Sequence, residues 1–172
     1  MTMESESARM SSAAEARFRI DAPNSKPRVV KVVALDGPSE MVVKRVAERG
    51  WQRATFFTSL KFDGAPRGGA GWNMQAWLSD IAGRTKALID EVASADLVVM
   101  VASAGTSPQA AAVIGEACLV HKVMTTSLII GGEQASDELL SKTLASLRPY
   151  SSMLVIANSD DYIEAMLAAL RA

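Results

Sequence analysis

Residues 97–120, LVVMVASAGTSPQAAAVIGEACLV, hold the passage that decides the fold. Leu97–Ala102 is wholly apolar and half β-branched over the length of one strand, as in a strand covered on both faces. Ser103-Ala104-Gly105-Thr106-Ser107 interrupts it with small and turn-forming residues. Pro108 then suits a first helical turn, and an apolar helix is predicted over Ser107–Val120. A buried strand running straight into a helix is half of a βαβ unit.

The same alternation repeats on either side. Arg28–Leu35 (RVVKVVAL) reads as the first strand and is broken by Asp36-Gly37-Pro38-Ser39. Met41, Val42, Val46 and Ala47 recur at helical spacing, with Gly50 at a C-cap position. Ala54–Ser59 is a second strand. Residues 61–73 form a loop with four glycines. Met74–Ala95 is predicted to be one long amphipathic helix with Trp77, Ile81, Ala87, Leu88 and Val92 on its core face. Thr125–Gly131 and Ser152–Ala157 complete a set of five strands. Ser136 is the N-cap of a helix over Ser136–Leu147, and Ser159 caps a last helix whose first turn carries Asp160 and Asp161. Buried strands alternating with helices predict an α/β fold, a doubly wound, mainly parallel five-stranded sheet with helices on both faces, in strand order 2-1-3-4-5. In that order the first and third strands are neighbours and their helices leave on opposite faces. The switch point between them is where such sheets receive ligands.

Composition sets the outer bounds. The chain has 172 residues, 49% hydrophobic and 22% charged, with a formal net charge of -1. That balance excludes wholesale disorder and argues against a broad nucleic-acid or anionic-membrane surface. One Cys (Cys118) and one His (His121) exclude a disulfide framework, a cysteine zinc cluster and a multi-histidine metal site. No stretch is long and apolar enough to span a membrane, and the start lacks a signal-peptide layout, so a cytoplasmic protein is expected. Residues 1–27, rich in Ser, Ala and Glu, are expected to be a mobile tail, with a single domain over residues 28–172.

The predicted switch point has two walls. The Ser103–Ser107 turn leads into a helix whose N–H groups and dipole favour an anion. Gly105 permits close approach, and Ser103, Thr106 and Ser107 bring hydroxyl donors. Capping is the alternative role for the same residues. The Asp36–Glu40 wall is less hospitable, since Pro38 lacks an N–H and two carboxylates face any phosphate. It reads either as a tight turn or as a place where Asp36 or Glu40 contacts a hydroxyl, an amine or a metal. Gly68–Asn73 is either a lip over the ligand or a crossover loop. Trp51 and Trp77 suit packing, His121 a helix C-terminus and Cys118 a buried filler. The sequence has no G-x-x-x-x-G-K-[ST], no G-x-G-x-x-G after the first strand and no G-x-S-x-G elbow.

Four segments resemble the tubulin/FtsZ family of filament-forming GTPases. Residues 32–46 (VVALDGPSEMVVKRV) are similar to the family's first strand, glycine run and helix. Residues 103–118 (SAGTSPQAAAVIGEAC) are similar to its GGGTGTG signature and the helix after it. Gly69-Ala70-Gly71-Trp72-Asn73-Met74 looks like its GAGxNP loop. Leu147-Arg148 followed by SMLVIANSD resembles its late strand and PND. The resemblance implies a nucleotide or anion pocket bounded by Asp36, Gly37, Ser39, Gly69, Gly71, Asn73, Ser103, Gly105, Thr106, Ser107 and Asn158. The departures weigh against GTP hydrolysis. Ser103, Ala104, Pro108 and Gln109 stand where the family has glycine, Asp36 and Glu40 add charge, and the family's second domain has no counterpart. The expectation is a non-hydrolysing binding or regulatory domain for a nucleotide or small anionic ligand, with no metal site and no assigned catalytic residue. The alternatives are a small metabolic enzyme acting on an anionic substrate through Asp36 or Glu40, and a homo-oligomeric scaffold.

Overall fold

The computed structural model describes residues 26–59, 77–80, 85–157, 159 and 161–172. Nearly all of the 1–27 segment, the glycine loop with Gly69, Gly71 and Asn73, and Asn158 therefore lie outside the described residues. The elements are β1 (Val30–Ala34), α1 (Gly37–Ala47), β2 (Ala54–Thr58), β3 (Trp77–Asp80), β4 (Thr85–Ala87), α2 (Leu88–Ala93), β5 (Leu97–Ser103), α3 (Ala110–His121), β6 (Met124–Ile130), α4 (Asp137–Leu147), β7 (Met153–Ile156) and α5 (Asp161–Ala169).

The described strands form one sheet in the order β4-β3-β2-β1-β5-β6-β7. The five strands from β2 to β7 are parallel, in the 2-1-3-4-5 order that the alternation predicts. Strand residues alternate between faces, and the core divides accordingly. Val33, Val98, Met100 and Ala102 join Ala111, Ile114 and Leu147 on one side. Val32, Ala34, Val99 and Val101 join Val42, Val43, Ile163 and Leu167 on the other. Both faces of β1 and β5 are thus covered, which is why their sequences read as nearly continuous apolar runs. Lys31, on β1, is the polar exception. Its ammonium lies 3.1 Å from Glu91 on α2, 3.3 Å from the Thr55 hydroxyl and 5.9 Å from the Phe57 ring centroid.

The predicted helix over Met74–Ala95 is not observed. Its described part contains β3, β4 and only the short helix α2. β3 runs antiparallel to β2, pairing Phe57 with Asp80 and Thr58 with Ser79, and β4 pairs with β3. The open side of β2 offers ladder hydrogen bonds to β3, and β3 in turn to β4, where Trp77 and Thr85 have good strand propensity. Gly83 costs a continuous helix about 1 kcal/mol, so tertiary pairing overrides the helical spacing.

Candidate functional site

α1 starts immediately after β1, and Asp36 is its N-cap with extended backbone (φ -150°, ψ 172°). The cap is reciprocal. The Ser39 N–H donates to Asp36 Oδ1 at 2.9 Å, and the Asp36 N–H donates to Ser39 Oγ at 3.1 Å. Ser39 is fully buried. This satisfies orphan donors of the first helical turn, as a capping box does.

The same carboxylate crosses to β5. Ser103 donates its N–H to Asp36 Oδ2 at 2.7 Å and its hydroxyl to Oδ1 at 2.8 Å. Thr106 Oγ1 lies 3.0 Å from Asp36 Oδ2 and 2.8 Å from the Ser103 carbonyl, so its single proton serves one of them at a time. The tips of β1 and β5 are neighbours, with Leu35 N–H donating to Val101 O at 2.9 Å. Sequence and structure agree on that placement. The space between the tips is bridged by a side chain that is itself an anion, held by four donor groups.

Other donors of the Ser103–Ser107 turn are engaged as well, with the Ala104 N–H donating to Ile130 O at 2.9 Å. Gly105 N–H donates to Thr143 Oγ1 at 2.9 Å, and Thr143 Oγ1 donates to the Thr106 carbonyl at 2.7 Å. Thr106 N–H donates to Ser103 O, and Ser107 Oγ bonds Ser146 Oγ at 2.7 Å. Gly105 has φ +96° and lies over Leu139, a backbone conformation that suits glycine. The helix predicted from Ser107 begins at Ala110, and its N-cap Gln109 makes no side-chain cap.

Thr143 was not legible as a site residue. It stands in the apolar stripe Leu140, Leu144, Leu147 of α4, and a buried Thr in such a stripe is the available signal. Replacing it with Val keeps the shape but leaves the Gly105 N–H and Thr106 C=O without this partner. Thr143→Val is expected to destabilise the protein by about 2 kcal/mol, read from urea unfolding midpoints.

Glu40, the other carboxylate weighed for acid–base work, turns toward β2. It accepts from Thr58 Oγ1 at 3.3 Å and is ion-paired with Lys44. Cys118 is buried, which pushes its thiol up to about 12, so the nucleophilic thiolate is negligible at neutral pH. The described residues contain no group of three or more His, Cys, Asp or Glu that could hold a metal ion. No described helix is long and apolar enough to cross a membrane.

An open cleft of about 340 Å³ begins beside the Asp36 bridge. It follows the carboxyl edge from Ser103 on β5 past Ile130 at the end of β6 to Ala157 and Ser159 after β7. Pro38 and Val42 of α1 form one wall, and Gly131–Gln134 form the other. Gly132 has a packing reason to be glycine, because a Cβ there would come within 2.6 Å of Ile156 Cγ2. The polar groups on the lining are Ser103, Glu133, Gln134 and Ser159, and among the described residues no Lys or Arg contributes. Glu133 and Gln134 escaped sequence reading, although the Gly131-Gly132 pair directly after a buried strand marks the turn that carries them.

No family model matches the chain, and no curated protein matches it. Among solved structures it is similar to translation elongation factor SelB from Methanococcus maripaludis. The complex with the GTP analogue GPPNHP overlays at a TM-score of 0.45 and 10% identity, covering 82% of this chain and 32% of that one. The apo form overlays at 0.43 and 11%, covering 82% and 33%. The chain thus spans about a third of the SelB chains.

Proposed function

We propose that this chain is a non-hydrolysing binding domain for an uncharged, hydroxyl- and amide-bearing small molecule of nucleoside size. The ligand is held in the cleft between α1 and the carboxyl ends of β5, β6 and β7. The observation that carries this reading is the Asp36 bridge. Asp36 takes the donors at the β1–β5 switch point that a phosphate would otherwise use, while the adjoining cleft stays open. Its volume falls at the small end of the range for ligand pockets. Its lining, which mixes apolar side chains with Ser103, Glu133, Gln134 and Ser159, suits a ring system with hydroxyl or amide groups. Asp36 and Glu133, with no Lys or Arg on the lining among the described residues, disfavour a triphosphate.

The four segments similar to the tubulin/FtsZ family support the nucleoside class. Their eroded glycines and added carboxylates support the loss of phosphate chemistry. Of Asp36, Gly37, Ser39, Ser103, Gly105, Thr106 and Ser107, only Ser103 lines the cleft, and the others belong to the two turns beside it.

Calorimetric titration with guanosine, adenosine, GDP and GTP tests the reading. A nucleoside is expected to bind with a Kd between micromolar and millimolar, phosphates are expected to add no affinity, and Gln134→Ala is expected to weaken the nucleoside. GTP binding tenfold or more tightly than guanosine would contradict it. So would the absence of heat from all four ligands.

A further inference from the structure

The sheet ends on one side at β7, which pairs only with β6 among the described strands. An edge strand presents a row of unpaired backbone groups, and folded chains usually blunt it with a charge, a proline or a bulge. The opposite edge strand, β4, carries Lys86. β7 is Met153-Leu154-Val155-Ile156, with no charge, proline or glycine. Ala157 N–H donates to Ile129 O at 2.8 Å, so strand alternation turns the N–H and C=O groups of Leu154 and Ile156 to the open side. Met153 and Ile156 are 52% and 40% exposed.

We propose that two copies of this chain pair through antiparallel β7 strands about a twofold axis at Val155, continuing the sheet across a dimer. In that register Leu154 of one copy meets Ile156 of the other, so the outward N–H and C=O groups of each strand find partners in the other. The charges flanking the strand fit the same arrangement. Arg148 stands before the entry to β7 and Asp161 just past its exit, and both are exposed. Antiparallel pairing brings the Arg148 end of one copy beside the Asp161 end of the other, at both ends of the interface. A parallel arrangement would set like charges together, and so disfavours itself. A second copy is therefore the occupant that satisfies both the hydrogen-bond pattern and the charge pattern of this edge.

Sedimentation equilibrium of the full chain, with amide hydrogen exchange, tests the proposal. The chain is expected to be a dimer at micromolar concentration, with slow exchange at Leu154 and Ile156. Ile156→Lys is expected to weaken dimerisation at least tenfold while the circular dichroism spectrum stays that of the parent. Arg148→Asp is expected to weaken it too, and adding Asp161→Arg to restore it. Arg148→Asp also serves as the test should Ile156→Lys fail to fold. A single 18.3 kDa species at every concentration would overturn the proposal and leave the edge to a strand of another protein. A dimer with fast exchange at Leu154 and Ile156, or one indifferent to both substitutions, would overturn it equally.

Discussion

Asp36→Ala is expected to lower the unfolding free energy by about 4 kcal/mol, the largest effect of any single polar substitution in the described site. The wild-type carboxylate accepts from the Ser39 N–H, the Ser103 N–H, the Ser103 hydroxyl and the Thr106 hydroxyl. Loss of the N-cap alone typically costs about 1 kcal/mol. Each N–H or hydroxyl left without its charged acceptor in a partly buried place adds about 1 kcal/mol or more, with incomplete additivity because all four share one acceptor. Asp36→Asn keeps one oxygen acceptor and the side-chain shape, and should lose about half as much. Urea unfolding of the three proteins checks both values. A loss below about 1 kcal/mol for Asp36→Ala would mean that water replaces the carboxylate and that the bridge contributes little.

Gly115→Ala is the second large effect, and it runs against local propensity. In an exposed helix this change stabilises by about 1 kcal/mol. Here a Cβ would lie 2.4 Å from Tyr150 Cβ and 2.9 Å from Tyr150 Cγ. The nearest atom belongs to the root of the tyrosine side chain, so it cannot swing away without moving the backbone. Either α3 or the short turn Arg148–Tyr150 must shift, at the junction where Tyr150 packs against the core containing Ile114 and Leu147. Overpacking of this kind outweighs the gain in propensity, and a net loss of about 2–3 kcal/mol is expected in the same assay. Stability equal to or above the parent would show that α3 and this turn are not in such close contact.

The parallel core was legible because its causes are local. Runs such as Val30–Ala34 and Leu97–Ala102 read as strands covered on both faces, and their alternation with helices makes 2-1-3-4-5 the most economical winding. The two strands β3 and β4 were not legible, because they exist through pairing with β2 and with each other, which helical spacing does not report. Asp36 is the instructive case at the site. The sequence places a carboxylate beside the expected phosphate position and reads it as repulsion. The structure shows it as an acceptor held by donors from Ser103 and Thr106, far along the chain. Charge was visible at that position, whereas the cross-sheet partners that give it a role were not.

A crystal of the protein grown with guanosine and GDP together tests the central claim most directly. The account predicts ligand density in the cleft beside Pro38, Ile130 and Gln134, with Asp36 still bonded to Ser103 and no phosphate between the tips of β1 and β5. A phosphate bound by Ser103, Gly105 and Thr106, with the Asp36 side chain displaced from them, would contradict it.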